Sequence, residues 1–506
     1  MSGVTEPTAP IGFSKPAAQL SEHFGGERAA LDNELLLRLR GACGVVDVDD
    51  ESLAESGRDW WPLAMRWALL GETPVKPGVV VRPTAVDEVV DVLRICNEAG
   101  IPVTPAAGRS GVCGGSLPVF GGVSLDCCSL GGIIHVDPDS LLVEVAAGTF
   151  GPDLERDLRE DHSLTIGHWP QSMDLSTVGG WVACRGAGQY STRYGKIEDI
   201  VGGLEVVLAD GTVVRTGGLQ GAGPRSATGP DLTQIFVGSE GTLGVITSAL
   251  LRAHPAPRAE RRSAWSFGSF PEGLEATRRI LRRGATPAVL RLYDETESVR
   301  NFSHEEGCVL VVLDEGDDHI VGATMSVVAE ECEEAERLDQ EIVGRWLKNR
   351  NDVSALASVI RHGIVVDTIE VAASWSALAG LTEDTLAALR AVDGLLVASV
   401  HQSHAYLDGA CLYFTFAGQQ SDVGDEEVAE TFYKSCWRTV IAVTRKYQGS
   451  ISHHHGVGLV RGGYMSEALG AGFGVLQKVK DALDPNGILN PGKLGLASRF
   501  GAPPWQ

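Results

Sequence analysis

No run of about eighteen or more apolar residues occurs in this chain, so the sequence offers no candidate for a membrane-crossing helix. Its polar, proline-containing start, MSGVTEPTAPIGFSKP, lacks the charged-then-apolar order of a secretory signal, and a soluble, cytoplasmic protein is expected. Nor is there a sustained cluster of lysine and arginine. The 42 basic residues face 66 acidic ones, a formal charge of −24, which removes nucleic acid from the expected partners. The 10 cysteines include no CxxC pair, although Cys127 and Cys128 are adjacent. Neither a disulfide framework nor a zinc ribbon is therefore expected, and the thiols read as small buried apolar groups. Internal repeats, low-complexity tracts, a Rossmann GxGxxG and a Walker lysine are all missing.

What is present changes along the chain. At 506 residues the chain is too long for one ordinary core, and two or more domains are expected. Residues 1–75 read as a mobile tail followed by a helical segment, with LDNELLLRLR as its amphipathic helix. From Gly78 the run GVVVRP reads as a buried strand, VDEVVDVLRICNEAG as a helix ending at Gly100, and IPVTPAAG as a second strand entering a glycine loop. PDLERDLRED reads as a helix, and GLEVVLADGTVVRTGG as two strands joined at an Asp-Gly turn. Together these predict a mixed α+β domain over residues 76–255. Residues 256–450 alternate amphipathic helices (EGLEATRRILRRG, ECEEAERLDQEIVGRWLKNR) with strands (CVLVVLDEG, ACLYFTFAG), which predicts helices covering an antiparallel sheet. Residues 451–506 carry SHHHGVG and a last helix over YMSEALGAGFGVLQKVKDALDP, stopped by Pro485.

The glycine-rich segment PAAGRSGVCGG has the composition of a pyrophosphate cradle, because backbone N–H groups can approach a doubly charged diphosphate only where no side chain intervenes. Gly108, Gly111, Gly114 and Gly115 meet that need. Alone, such a loop reads equally as a turn. Its company decides: PQSMDLSTVGGWVACRGAG, YGKIEDIV and GSEGTLGVI follow in order.

That order resembles the FAD-binding domain of the vanillyl-alcohol oxidase and p-cresol methylhydroxylase superfamily. The resemblance implies an α+β protein, a two-subdomain FAD-binding domain of the vanillyl-alcohol oxidase type with an α+β cap domain for substrate on an antiparallel sheet, and a C-terminal segment closing on the FAD domain. It implies that Pro105, Ala106, Ala107, Gly108, Arg109, Ser110 and Gly111, with Gly114 and Gly115, hold the pyrophosphate. Pro170, Ser172, Asp174, Ser176, Thr177, Gly180, Arg185, Gly186 and Tyr194 would surround the flavin, and Glu240, Gly241, Thr242, Gly244, Val245 and Ile246 the adenosine side. Some members tether FAD through His or Cys. Cys113 lies in the loop, but its neighbours resemble a non-covalent relative, and non-covalent FAD is expected.

GHWPQSMDLSTVGGW, TPAVLRLYD, DTIEVAASW, DGACLYFTF and SHHHGVG together resemble the alkyldihydroxyacetonephosphate synthase family of ether-lipid synthesis. This implies exchange of an acyl for an alkyl group through a flavin N5 adduct, with Tyr413 as general acid/base and with His453, His454, His455 and Arg291 required. A tyrosine titrates near 10 in water, so nearby cations or donors are needed, and the imidazoles could supply them. A small-molecule or lipid-like substrate is implied. A homodimer is compatible with the resemblance. Fatty substrates would favour shallow membrane contact, although no amphipathic stretch is basic enough to claim it.

Two departures keep alternatives open. D-2-hydroxy-acid dehydrogenases share the scaffold and resemble HxGDGNxH followed by EHGxG, whose two histidines and glutamate bind a metal. Here His404 survives, but Tyr413 and His454 stand at the other two positions, so no metal is expected. The synthase resemblance also implies a phosphate-binding arginine about fourteen residues before Glu370; Leu356 stands there, with Arg361 nearby. Oxidation of a 2-hydroxy acid or other alcohol is the second reading, and a flavin-binding module without turnover the third.

Overall fold

Valine-rich runs buried on both faces build the first sheet, as a parallel arrangement requires. In the computed structural model, which describes residues 15–221, 223–352, 359–360, 362–419 and 426–505, Val79–Val81, Val123–Asp126 and Val103–Ala106 run parallel, with Val46–Asp47 added antiparallel at one edge. The helix Val86–Ala99 packs Val89, Val92, Leu93 and Cys96 into this core and ends at Gly100 as expected. A second, five-stranded antiparallel sheet follows in the order Val213–Arg215, Val201–Val207, Val245–Arg252, Leu142–Ala146, Ile133–Asp137. It contains the expected Asp-Gly hairpin, Val207 pairing with Val213.

The third sheet has seven antiparallel strands: Glu336–Leu338, Ala259–Phe267, Cys308–Gly316, Val289–Tyr293, Leu395–Ala405, Gly409–Gln419 and Ile364–Ser374. Alternation along Gly409–Gln419 decides what each face does. Leu412, Phe414 and Phe416 are fully buried in the main hydrophobic core, while Cys411, Tyr413 and Thr415 point to the opposite face. The register sets Glu370 and His401 directly opposite Tyr413 on either side, so three chemically active side chains share that face. A register shift between Gln402 and His404 re-aims His404, as bulges beside functional sites do.

Three expectations need correction. The acidic stretch read as one helix is a turn, an edge strand at Glu336–Leu338 and a helix Glu341–Asn349; the Asp339 carboxylate accepts from Glu341 N at 2.9 Å and starts that helix afresh. The last helix is two, Met465–Leu469 and Ala471–Leu483, separated where Gly470 turns to φ 53°. The segment before residue 76 contains strands as well as helices. Ser21–Glu22 pairs with Glu72–Thr73, and Trp61 and Trp67 belong to the core of the seven-stranded sheet, Trp61 Nε1 donating to Tyr433 Oη at 2.9 Å. The expected tail, residues 1–14, lies outside the described residues, as do Leu356 and Arg361.

Phe414→Ala empties a site with 0% exposure behind Tyr413 and should cost about 3–5 kcal/mol, read as a lower urea midpoint of unfolding. An unchanged midpoint would show that this strand does not anchor the sheet.

Candidate functional site

A cavity of about 290 Å³ lies where the three sheets meet. Its floor is the chain leaving the parallel strand Val103–Ala106, and its walls are Pro170–Thr177, the helix Val178–Cys184 and Gly241–Ile246. The close approach of chain to chain explains the glycine at 108: a Cβ there would lie 1.9 Å from Leu175 O. Thr177 caps the helix, its hydroxyl accepting from Gly180 N at 3.4 Å, and Trp181 Nε1 donates to Ser176 Oγ at 2.7 Å.

Polar atoms buried at this cavity are left without partners. Both ring nitrogens of His168, Ser116 Oγ and Gln189 Oε1 line it and meet no hydrogen-bonding atom of the chain. Buried polar groups are ordinarily satisfied, so the cavity has the donor and acceptor set of a site for a polar ligand. A dinucleotide with a hydrogen-bonding ring fits it.

At the other end stands the tyrosine-histidine cluster. Tyr413 Oη lies 2.9 Å from His454 Nε2 and 2.6 Å from His455 Nε2, and His454 Nδ1 lies 2.9 Å from His453 Nδ1. His404 Nδ1 lies 2.7 Å from Ser191 Oγ, its ring stacked at 5.1 Å on that of His453. Arg291, 9% exposed, donates from Nε to Tyr293 Oη at 3.1 Å and contacts His401 Nε2 through Nη2 at 2.9 Å. The histidine loop is held by two buried carboxylates. Glu370 accepts from Ser452 Oγ and His455 N, both at 2.9 Å, and from His453 N, and pairs with Arg461 at 3.0 Å. Glu240 accepts from Val457 N at 2.5 Å and Gly458 N at 2.8 Å. Gly458, at φ 52°, is obligatory, since a Cβ would lie 2.1 Å from Cys113 O.

The protonation pattern departs from the expectation. Burial pushes His453 down to about 3, His455 to about 4 and His454 well below its ordinary value, so the imidazoles are neutral donors and acceptors, not cations. Burial likewise pushes the Tyr413 phenol well above 10, with Cys411 and Glu370 adding to it and Arg291 and Arg461 opposing. Burial would also raise Glu370, but Arg461 and the neighbouring histidines hold it below the usual carboxylate range.

Most of the expected residues line the cavity: Pro105 to Gly111, Gly115, Pro170, Ser172, Asp174, Ser176, Thr177, Gly180, Gly186, Glu240, Gly241, Gly244, Val245, Ile246, Arg291, Tyr413, His454 and His455. Five do not. Gly114 packs on Leu459, Arg185 turns outward to Glu198 Oε1 at 3.2 Å, and Tyr194 donates to Glu315 Oε1 at 2.8 Å. Thr242 donates back to Ser239 O at 2.7 Å, and His453 sits behind His454. Cys113 is buried off the cavity, with Arg461 Nη1 donating to its sulfur at 3.1 Å. Sequence reasoning missed Trp60, His168, Gln189 and Arg461. Among the described residues, two groups have ligand atoms mutually within 4.8 Å, as a metal site would need: His404, His453 and His454, and Glu370, Cys411 and His454. Both ring nitrogens of His454 and the carboxylate of Glu370 already have protein partners. No helix among the described residues is long and apolar enough to cross a membrane.

Comparison with known proteins agrees with this geometry. The family model "FAD binding domain" matches residues 77–217, and "FAD linked oxidases, C-terminal domain" matches residues 256–494. The chain is 32% identical over 434 residues to the uncharacterized FAD-linked oxidoreductase YgcU of Escherichia coli K12, covering 83% of this chain and 89% of that one. It is 29% identical to alkyldihydroxyacetonephosphate synthase of Trypanosoma brucei brucei (83% and 73% covered) and 27% identical to glycolate oxidase subunit GlcD of Bacillus subtilis (83% and 89%). Among solved structures, an alkyldihydroxyacetonephosphate synthase superposes with a TM-score of 0.76 at 23% identity (96% and 87% covered), and p-cresol methylhydroxylase with 0.74 at 19% (92% and 96%). Those two likenesses establish the α+β fold that the chain shares with them. With a glycine-lined cavity, buried polar atoms there that no group of the chain satisfies, and relatives matched over most of their length, the chain belongs to the FAD-linked oxidoreductase family and its cofactor is FAD.

Proposed function

We propose that this enzyme exchanges an acyl for an alkyl group in the manner of the alkyldihydroxyacetonephosphate synthases, with Tyr413 as general acid/base. The observation that carries this reading is the Tyr413 hydroxyl, in the flavin cavity and hydrogen-bonded to both His454 and His455. FAD, when bound, supplies an electron-poor ring beside the substrate. Tyr413 holds or takes the substrate proton, and the neutral imidazoles orient its hydroxyl. Arg291 would grip a negative group on the substrate, aimed by Tyr293 and His401. Oxidation of a 2-hydroxy acid or other alcohol is the second reading, favoured by Leu356 where the synthase resemblance implies an arginine and by the likeness to a glycolate oxidase subunit.

FAD is proposed to be held without a covalent bond; Cys113, the thiol of the glycine loop, is buried off the cavity with Arg461 donating to its sulfur. Acid precipitation should therefore leave the yellow colour in the supernatant; colour in the pellet would overturn this and direct attention to the cavity-lining Cys127 and Cys184. EDTA should leave activity unchanged, since Glu370 and His454 are already committed to protein partners. Reversible loss on chelation, restored by zinc or manganese, would revive the metal-dependent dehydrogenase reading. Tyr413→Phe removes one hydroxyl and should keep FAD content and melting temperature near wild type while lowering turnover about a hundredfold. The probes are palmitoyl-dihydroxyacetone phosphate with hexadecanol, and anaerobic flavin bleaching by D-lactate. Near wild-type turnover would make the tyrosine a packing residue.

A further inference from the structure

We infer that His455, backed by Glu370, is the group that exchanges a proton with Tyr413, whereas His454 only donates to the tyrosine oxygen. The inference rests on the reading of Tyr413 as acid/base. It follows from counting hydrogens along an unbranched line of contacts.

The line runs from His453 Nδ1 to His454 Nδ1 at 2.9 Å, from His454 Nε2 to Tyr413 Oη at 2.9 Å and from Tyr413 Oη to His455 Nε2 at 2.6 Å. His455 Nδ1 then faces Glu370 Oε1 at 3.9 Å. A neutral imidazole carries one N–H and a phenol one O–H with two acceptor lone pairs, so three orders exist. Two run the line in one direction or the other; in the third both imidazoles donate to the phenol oxygen, the Tyr413 O–H turns into the cavity, and His455 turns a lone pair toward the Glu370 carboxylate.

In the first, His453 donates to His454, His454 to Tyr413 and Tyr413 to His455, and the His455 Nδ1–H points at the Glu370 carboxylate. The lone pair of His453 Nε2 is left over. In the reverse order, Tyr413 donates to His454 and His454 to His453. His453 Nε2 would then carry a buried N–H with no acceptor, and His455 would turn a lone pair toward a carboxylate. Neither His453 Nε2 nor His455 Nδ1 has a hydrogen-bond partner, so these line ends decide the energy. Each direction of the line leaves one buried N–H and one buried lone pair without a hydrogen bond, so the choice falls to the Glu370 carboxylate, which attracts an N–H at 3.9 Å and repels the lone pair that the other orders turn toward it. The lengths agree, since O–H donors give shorter bonds than N–H donors.

The Glu370 carboxylate can hold this direction because it is fixed by Ser452 Oγ, His453 N, His455 N and Arg461. Arg461 tempers its pull on His455 without removing it. The groups facing His455 are thus Tyr413, Glu370 and Arg461, with the His454 ring beside it at 4.6 Å.

The step balances. The Tyr413 O–H bond breaks as a new N–H bond forms at His455 Nε2. In the same step the phenol oxygen bonds the substrate proton, so no free phenolate stands between the two transfers, and the electron pair of the broken substrate bond stays on the substrate. Net, one proton passes from substrate to His455, whose positive charge lies against Glu370. Reprotonation runs the same path backwards.

The test is ring-nitrogen NMR of the full-length, flavin-loaded protein labelled with 15N-histidine, with His454→Gln and His455→Gln used for assignment. His455 should show a protonated Nδ1 and a bare Nε2, and His454 the opposite tautomer. A protonated His455 Nε2 overturns the inference while leaving Tyr413 free to act as acid/base. In turnover with the same two probes, His455→Gln should lose about a hundredfold, with little further loss on adding Tyr413→Phe, because residues acting as one unit are not additive. His454→Gln should lose about tenfold or less. Full additivity of His455→Gln with Tyr413→Phe also overturns the inference. Wild-type turnover in Tyr413→Phe overturns it by removing the reading beneath it, an outcome the tautomers would not produce.

Discussion

A buried carboxylate at 0% exposure, Glu370, is the constraint on which the site depends. Isolated in an apolar interior it would be protonated or expelled. Here it gathers the Arg461 guanidinium, the Ser452 hydroxyl and two backbone N–H groups of the histidine loop. Arg461, itself at 0% exposure, then lies with its guanidinium 4.9 Å from the Trp437 ring centre and donates to Gly456 O at 2.7 Å. One charge pair thereby converts a loop with no regular secondary structure into a fixed platform, and the register that sets Glu370 opposite Tyr413 delivers the imidazoles to the phenol.

Much of this was legible in the residues. The glycine loop, STVGG and GSEGTLG stand in a recognisable order along the chain, and the resemblance carried by that order implied FAD. Tyr413 was legible through the resemblance of DGACLYFTF to the synthase family, whereas the face it occupies depends on the sheet register. What escaped reading was long-range or directional. Glu370 meets His453 across 83 residues, and Glu240 meets Val457 across 217, so nothing near either glutamate advertises its partner. Arg185, Tyr194 and Thr242 sit among true cavity residues in sequence, but a motif does not state which way each side chain turns. The acidic stretch before Trp346 was misread because Asp339 can restart a helix only after a turn, and helical spacing alone does not expose the interruption.

The electrostatic expectation failed for a general reason. Proximity of histidines to a phenol suggests positive charge, yet packing them together under cover removes the water that would pay for that charge, and all three are pushed toward neutrality. The cluster works through the placement of hydrogens in preference to field strength, which makes ring tautomers its operative variable.

The histidine loop is clasped from both sides, by Glu370 on the seven-stranded sheet and by Glu240 beside the glycine cradle. Swinging these two bodies apart like a clamshell would strip at least one carboxylate of its backbone donors, at about 1.5–3 kcal/mol for each charge-assisted bond broken. Gaping conformers are correspondingly scarce. A single loop thereby serves as the rivet between the sheet that carries the phenol and the cradle that carries the glycines.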